Sequence, residues 1–271
     1  MKTLYLKFPF QSTFAITTNS QELINCLSLR YGEYLTFARH GESNFEITVT
    51  QSRSAYHLKT DQNSLVTNQP LAEIDRYIFE NNIYHTDFFA LHGAAVEWKN
   101  RCHLFLASTT SGKTTLTGFL AAYGCGYLTD DCILLNRSDF KIHPFTTPIQ
   151  LREGGLSVLQ QYHVSLPKLQ LLEEPPSLHR WVYTPSYCIQ QPIPLQTIFF
   201  LQRNEKENQL IPMSTTDRIT ELMKSPITQY PITGEYLHFL TRLAKTPCFR
   251  LRYRDMNYVK ELIQNDPCSS T

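Results

Sequence analysis

Residues 102–120 read CHLFLASTTSGKTTLTGFL, and this stretch contains the clearest fold motif of the chain. Its centre, residues 107–114, matches the phosphate-loop pattern G-x-x-x-x-G-K-[ST] at every position except the first, where Ala107 stands. An apolar strand from His103 to Leu106 precedes this loop. Apolar residues at helical spacing follow it as far as Gly124, which suits the end of a helix. The order of strand, loop and helix predicts a loop that binds the phosphates of a nucleoside triphosphate.

The residue types of this loop suit phosphate binding for separate physical reasons. Backbone N–H groups at the start of a helix attract phosphate oxygens, and Gly112 permits a backbone conformation that a Cβ atom would hinder. Lys113 supplies a positive charge for the β- and γ-phosphates, and the Thr114 hydroxyl is a ligand for Mg²⁺. The predicted nucleotide-binding residues are Ser108, Thr109, Thr110, Ser111, Gly112, Lys113, Thr114 and Thr115.

An acidic pair, Asp130-Asp131, comes directly before the apolar run 132–135. The usual acid of a nucleotide site follows such a run instead, so this pair is predicted to stand at the start of a strand, with its side chains on opposite faces. One carboxylate could face Mg²⁺ while the other faces an incoming hydroxyl. We assign Asp131 as the metal ligand and Asp130 as the general base, although the two could be exchanged. A plain polar turn is the alternative.

Further candidate residues are a histidine and several arginines. His92 is either a core residue or a functional one, which would hold a catalytic carboxylate or touch the γ-phosphate. Arg152 either neutralises charge on the transferred phosphate or lies on the surface. Arg250, Arg252 and Arg254 alternate with apolar residues, which predicts the solvated face of an edge strand or a surface for an acidic or phosphorylated peptide.

Composition excludes several classes of protein. The chain has 271 residues, 42% of them apolar, with a formal net charge of +1, so it lacks the basic excess of a nucleic-acid binder. Its seven scattered cysteines are typical of free thiols in a reducing compartment. No apolar run is long enough for a signal peptide core or a membrane span. We therefore expect a cytoplasmic protein with no membrane or nucleic-acid partner, and homo-oligomer formation stays open.

The chain divides into two predicted regions of the α/β class, α+β overall. Residues 1–85 form a small α+β unit, and residues 86–271 form the nucleotide-binding domain. The expected strands are 13–17, 45–49, 56–59, 88–96, 102–106, 132–135, 197–201 and 248–254. The expected helices begin after Ser20, at Leu71, after Lys113, after Thr215 or Thr216, at Tyr236 and after Asp255, and Asn81-Asn82 ends the second of them. Six prolines between residues 167 and 194 predict an irregular lid, substrate loop or solvated connection.

The motifs LHGAAV (91–96), ASTTSGKTT (107–115) and YLTDDCILL (127–135) together resemble the HPr kinase family, over roughly residues 88–152. The segment PCFRLRYRDMNYVKELI (247–263) is similar to the ends of small HPr kinase-like proteins, which include kinases that modify lasso-peptide precursors. The resemblance implies a P-loop core related to phosphoenolpyruvate carboxykinase, in which Asp130, Asp131 and His92 act in phosphoryl transfer. The segment TPIQLRE (147–153) differs from the glycine-rich acidic segment of bifunctional HPr kinases, which argues against HPr as the substrate and against the reverse phosphorylase activity. The single small N-terminal unit fits the shorter biosynthetic kinases better.

The leading interpretation is an ATP- and Mg²⁺-dependent kinase that acts on a serine hydroxyl of a peptide or small protein. The C-terminal serine of a lasso-peptide precursor, a ribosomally made natural product, is the specific expectation from the resemblance. Two alternatives stay open. One is a kinase for a small molecule such as free serine, and the other is a non-catalytic module that binds a peptide under the control of a nucleotide.

Overall fold

The structure is a computed structural model that describes residues 1–8, 12–38, 43–53, 55–83, 87–107, 111–174, 178–204, 206–227 and 231–265. Within these residues the chain is a mixed α/β protein, which confirms the predicted class.

The strands are β1 (Lys2–Lys7), β2 (Thr13–Thr18), β3 (Leu35–Thr36), β4 (Phe45–Ser52), β5 (Ala55–Lys59), β6 (Ser64–Thr67), β7 (Phe88–Trp98), β8 (Arg101–Leu106), β9 (Gly126–Asn136), β10 (Lys141–His143), β11 (Ile149–Leu151), β12 (Gln170–Glu174), β13 (Leu178–Tyr183), β14 (Ile193–Arg203), β15 (Gln209–Pro212) and β16 (Cys248–Tyr253). The helices are α1 (Gln21–Tyr31), α2 (Pro70–Ile83), α3 (Lys113–Ala122), α4 (Glu153–Gln161), α5 (Thr215–Met223), α6 (Gly234–Leu243) and α7 (Met256–Gln264).

The chain forms two compact units, and the first is built from three separate segments, Met1–Thr86, Gln150–Glu153 and Pro167–Thr184. Its main sheet has the order β3-β1-β2-β4-β5-β6, with β2 and β4 parallel and the other pairs antiparallel. Helix α1 connects the two parallel strands. Alternate side chains of the strands, such as Leu4, Phe14, Ile47 and Leu58, are buried, as the period of a strand requires.

Polar contacts join the later segments of the first unit to its N-terminal part. Arg30 forms an ion pair with the buried Asp75 and donates a further hydrogen bond to Gln150 at 2.7 Å. The Cys26 thiol donates to the Glu173 carbonyl at 3.3 Å. The sequence predicted one continuous unit over residues 1–85. No sequence feature indicated that Gln150–Glu153 and Pro167–Thr184 also belong to this unit.

The second unit holds a seven-stranded sheet in the order β10-β9-β7-β8-β14-β16-β15. Strands β8, β14 and β16 are parallel to one another, whereas β7 is antiparallel to both of its neighbours. Strand β10 also pairs with β14, so five strands form a closed ring. Buried apolar residues of β7, β8, β9, β14 and α6 form one core, which includes Phe89, Leu104, Ile133, Ile198 and Leu240.

Several predicted helix ends are confirmed. The Ser20 hydroxyl accepts a hydrogen bond from the Leu23 N–H at the start of α1, and the Asp255 carboxylate accepts one from the Asn257 N–H at the start of α7. Gly124 follows α3 with a φ of +94°, a conformation that suits glycine after a helix.

Other predicted boundaries are wrong. Helix α5 begins after Ser214, whose hydroxyl accepts from the Asp217 N–H, and not after Thr215 or Thr216. Helix α2 continues past Asn81, whose side chain donates to the Tyr77 carbonyl inside the helix at 2.8 Å. Strand β1 was not predicted.

The proline-rich segment is not irregular throughout. Strands β12 and β13 pair in antiparallel fashion within it. Its prolines at 167, 185, 192 and 194 stand outside these two strands or at the start of β14, where the missing N–H disturbs little pairing. The sequence signal of the prolines therefore marked the ends of strands and not the absence of strands.

The strands that carry the alternating arginines and the acidic pair also differ from the prediction. Strand β16 lies between β14 and β15, so its alternating arginines are not on an edge strand, because the short β15 covers it. The acidic pair lies inside the long strand β9 and not at a strand start. There Asp130 pairs with Ala94 and Asp131 pairs with Gly93 of β7.

Gly93 allows β7 to lie close to its neighbours, and a Gly93→Ala variant is expected to be destabilised. An added Cβ would lie 2.6 Å from a Leu106 methyl group and 2.7 Å from both an Ile133 methyl group and the Phe105 carbonyl oxygen. The carbonyl belongs to the sheet ladder and cannot move aside cheaply, so we expect a loss of about 1–3 kcal/mol in the free energy of unfolding. Urea denaturation measures it. The control is Gly154→Ala, because nothing lies within 4 Å of an added Cβ there. Equal stability of the two variants would contradict the prediction.

Candidate active site

The predicted phosphate loop joins β8 to α3 in the second unit. The structure describes Ala107 and the residues from Ser111 onward, whereas the predicted contacts Ser108, Thr109 and Thr110 lie outside the described residues. Gly112 stands at the N-cap of α3 with a φ of +88°, in the left-handed region where a side chain is unfavourable. The N-terminus of a ten-residue helix thus faces the end of a strand, an arrangement that attracts anions.

Lys113 is the first residue of α3, and its side chain is largely buried. Its Nζ atom donates to the Ala107 carbonyl at 2.8 Å and lies 3.4 Å from Nε2 of His92. Burial lowers the pKa of Lys113, and the charges of Asp131 and Asp130 partly oppose this shift. The ammonium group is therefore held across the base of the loop, between the strand end and the acidic pair.

Asp130 is buried next to the start of α3, with only 5% of its surface exposed. The Thr114 hydroxyl lies close enough to its carboxylate to oppose part of the pKa rise that burial causes, and among the described residues the Oδ1 atom of Asp130 has no hydrogen-bond partner. Burial raises the pKa of Asp130 well above its usual range, and the charge of Asp131 adds to this effect. A buried carboxylate oxygen without a partner is costly, so this position calls for a cation or a proton.

Asp131 is exposed and has an unusual backbone for a residue within a strand. Its φ is +147°, in a region that L-residues rarely adopt. Beside it, the Thr129 hydroxyl donates to the carbonyl of Cys132, three residues later, at 2.8 Å. Backbone strain of this kind costs about 1–3 kcal/mol and is concentrated at functional sites. Asp130 thus supplies a buried carboxylate and Asp131 an accessible one.

His92 connects Lys113 with the acidic pair. Its imidazole hydrogen-bonds to the backbone of Asp131 and lies beside Nζ of Lys113. Burial lowers the pKa of His92, the positive charge of Lys113 lowers it further, and Asp131 opposes both effects. A neutral imidazole between an ammonium group and a carboxylate can orient both groups without adding charge.

The remaining predicted residues are placed as follows. Thr114 and Thr115 both lie half-buried in the first turn of α3. Arg152 is exposed between β11 and α4 and belongs to the other compact unit, so its contact with phosphate stays a prediction. The site thus brings together His92, Lys113, Thr114, Asp130 and Asp131.

Tyr253, at the end of β16, also belongs to this site and was not predicted. Its hydroxyl donates to the Ser111 carbonyl at 3.3 Å, and a Cβ atom added to Gly112 would lie 2.9 Å from the hydroxyl oxygen. The side chain is 4% exposed, and burial raises the pKa of Tyr253 to about 12, so the phenol stays a donor at neutral pH. The alternation along β16 indicated that Tyr253 faces inward, but no local signal indicated that it contacts the loop.

A Tyr253→Phe variant is expected to bind ATP about three- to tenfold more weakly, because one neutral hydrogen bond that fixes the loop is lost. Its melting temperature should change little, since the ring and its packing remain. Nucleotide titration followed by fluorescence, together with thermal unfolding, measures both effects. The matched control is Tyr123→Phe, because Tyr123 also donates to a backbone carbonyl, that of Tyr162, beyond the other end of α3. A variant of Tyr253 with native ATP affinity would show that the hydroxyl does not position the loop.

The side chains of this site fit Mg²⁺ better than a transition metal. No group of three or more His, Cys, Asp or Glu side chains that could hold a metal ion occurs in the part of the chain that the structure describes. Mg²⁺ needs few protein ligands because it keeps several waters and takes phosphate oxygens. The Thr114 hydroxyl and the unpartnered Oδ1 of Asp130 offer hard oxygen atoms, the type of atom that Mg²⁺ prefers.

The chain was compared with known proteins. No protein-family model matches it, and no curated protein sequence matches it. In the described residues, no helix is both long and apolar enough to cross a bilayer. Among solved structures, the chain is similar to the Hpr(Ser) kinase/phosphatase from Coxiella burnetii, with 11% identity and a TM-score of 0.33, over 67% of this chain and 97% of the other.

Proposed function

We propose that this protein is an ATP- and Mg²⁺-dependent kinase that phosphorylates a serine hydroxyl of a peptide or small protein. One observation carries the proposal. At the N-terminus of α3, the buried Asp130 carboxylate contacts the Thr114 hydroxyl and keeps one oxygen without a partner, beside the Lys113 ammonium group. A buried carboxylate oxygen in this state is available to a metal ion that binds together with phosphate.

The phosphate groups would be bound by two features of α3. The N–H groups of its first turn carry partial positive charge, and Lys113 adds a full charge at the same place. In the structure, the Lys113 ammonium group donates to the Ala107 carbonyl, so it lies at the loop and needs only a small movement to meet a phosphate oxygen. Catalysis by such a site rests mainly on positioning and on neutralising charge.

For the acidic pair, we propose the exchanged assignment. Asp130 touches Thr114 and is buried, so these two residues would hold Mg²⁺, which supplies charge stabilisation for the phosphate oxygens. Asp131 is exposed and its backbone is bonded to His92, so Asp131 would accept the proton of the serine hydroxyl. The serine oxygen then bonds to the γ-phosphorus as the bond from that phosphorus to the β–γ bridging oxygen breaks, and ADP leaves with the electron pair.

The proposed phosphate acceptor follows from the sequence motifs. A serine in a peptide, specifically the C-terminal serine of a lasso-peptide precursor, is supported by the three motifs in residues 91–135 and by the segment 247–263. A small-molecule acceptor such as free serine would use the same donor site. Cytoplasmic location, the lack of nucleic-acid and membrane partners, and any homo-oligomer stay predictions.

The test is a direct acceptor assay. The full chain is incubated with ATP and Mg²⁺ and with free serine, a peptide that ends in serine, a peptide with an internal serine, or the first peptide with alanine at its end. Products are identified by mass. We expect the peptide that ends in serine, and not its alanine form, to gain a phosphate. Phosphorylation of free serine alone would replace the proposal with a small-molecule kinase. ATP binding without transfer to any acceptor would favour a nucleotide-controlled binding module.

A further inference from the structure

A cavity of about 420 Å³ lies in the second unit, away from the candidate active site. Its walls include Leu195 at the start of β14 and Pro247 directly before β16. Strands β8, β14 and β16 are parallel, so the cavity lies at their amino ends, whereas the predicted phosphate loop follows the carboxyl end of β8. Along β8, the register partner of Leu195 is Cys102, four residues before Leu106, which corresponds to roughly 13 Å. We call this space the β14 cavity.

Two cationic side chains, those of Arg242 and Lys245, line the β14 cavity. Both are exposed, and neither forms an ion pair with an acidic side chain of the described residues. Cations near the end of a helix often compensate its free carbonyl groups. Here Arg218 already donates to the Ala244 carbonyl at 3.0 Å and to the Met213 carbonyl at 2.9 Å. The charges of Arg242 and Lys245 are therefore available to an external anion.

An aromatic side chain fixes the position of one of these cations. The guanidinium carbon of Arg242 lies 4.7 Å from the ring centroid of Phe140, and Phe239 stacks on the same ring at 5.7 Å. Phe140 has a φ of +56°, which is unfavourable for a bulky residue and is typical of sites where a side chain must point in one direction. Next to it, the register of β14 with β8 shifts between Leu195 and Thr197, and such bulges also redirect side chains.

We propose that the β14 cavity binds a carboxylate-bearing segment of an acidic peptide. The two cations match carboxylate groups, and the Phe140 ring, Leu195 and Pro247 offer apolar contact for the side chains between them. The volume is within the usual range of ligand sites, about 300–1,000 Å³. A nucleic acid is disfavoured, because two cations next to apolar walls do not form the extended basic surface that a phosphate backbone needs. The proposal concerns binding only, so it holds whether or not the chain is a kinase.

The test uses the full chain and a fluorescein-labelled peptide of alternating glutamate and leucine, with binding followed by anisotropy at near-physiological salt. We expect saturable binding that is about tenfold weaker in Arg242→Gln and in Lys245→Gln, because each variant removes one charge-assisted contact. Phe140→Leu should also weaken binding, since Arg242 loses its support. Thermal unfolding of each variant shows whether it is folded.

The matched control is Lys260→Gln, because Nζ of Lys260 likewise lies 4.5 Å from an aromatic centroid, that of Tyr123, outside the β14 cavity. This variant should bind the peptide as the native chain does. The same peptide with glutamine in place of glutamate should not bind. The proposal is overturned if the native chain does not bind the glutamate peptide, if the Arg242 and Lys245 variants bind it normally, if Lys260→Gln weakens it equally, or if a short DNA duplex competes as well as unlabelled peptide.

Discussion

An Asp130→Asn variant is expected to lose phosphoryl transfer by about 10³-fold or more, equivalent to about 4 kcal/mol of transition-state stabilisation. The amide cannot supply the anionic oxygen that, in the proposed site, holds Mg²⁺ together with Thr114. The same variant should unfold at a higher temperature than the native chain when Mg²⁺ and ATP are absent. Loss of activity would thus come with a gain in stability, which is typical of residues kept for function.

The gain in stability follows from the environment of Asp130. Burial raises its pKa in the folded chain, so folding favours the protonated carboxyl group. An acid with a raised folded-state pKa does not destabilise the fold below the pKa of the unfolded chain, and it destabilises the fold increasingly as pH rises towards the folded-state pKa. At neutral pH asparagine removes this penalty. Thermal unfolding at neutral pH, with and without Mg²⁺ and ATP, measures the effect.

Two further variants make the Asp130 result interpretable. Asp139→Asn alters an exposed carboxylate that accepts from the Lys141 N–H at 3.0 Å and pairs with its side chain at 3.4 Å, so it should be slightly less stable and fully active. Asp131→Asn should lose turnover while keeping Mg²⁺-dependent ATP binding. If Asp130→Asn kept near-native turnover, or if Asp131→Asn alone lost the dependence of ATP binding on Mg²⁺, the exchanged assignment of the two carboxylates would be wrong.

A Lys113→Met variant is expected to bind ATP about 10- to 100-fold more weakly, because one charge-assisted contact with phosphate is lost. Methionine keeps the length and apolar stem of lysine, and burial already opposes the charged form of Lys113, so the fold should tolerate the change. Isothermal titration calorimetry with ATP and with adenosine separates the contribution of the phosphates to the binding free energy from that of the rest of the nucleotide. Adenosine affinity should be unchanged.

Lys260→Met is the control for general loss of positive charge, since Lys260 lies on α7 and contacts Tyr123 and Asn257. It should bind ATP normally. If Lys113→Met bound ATP as tightly as the native chain, the loop between β8 and α3 would not be a phosphate site. In that case its motif would be a chance match at the start of a helix.

Short-range features of this chain could be predicted from sequence. Ser20 and Asp255 cap helices because a hydroxyl or carboxylate accepts an N–H two or three residues later, and Gly124 follows a helix because it tolerates positive φ. The strand before the loop and the helix after it could also be recognised, because each has its own local periodicity of apolar residues. His92, Lys113 and the acidic pair could also be named, because their residue types and spacing carry the chemistry.

Features that depend on distant segments could not be predicted. The contact of Tyr253 with the loop joins residues that are 142 positions apart. Asp131 pairs with Gly93 of β7, and no property of the sequence 129–132 alone specifies its φ of +147°. The interior position of β16 depends on β15, a four-residue strand with little alternation. Each of these is set by strand neighbours, which local periodicity does not encode.

The three-segment composition of the first unit has a consequence for biosynthesis. Because Arg30 bonds to Gln150 and Cys26 bonds to Glu173, a nascent chain that has only just emerged past Thr86 lacks contacts that the finished unit contains. Domains often fold as they leave the ribosome, N-terminal part first. The contacts of this unit can therefore be completed only after Thr184 has been translated, by which time β8 and α3, on either side of the predicted phosphate loop, have already been synthesised. An excised fragment of residues 1–86 would lack the contacts of Arg30 with Gln150 and of Cys26 with Glu173.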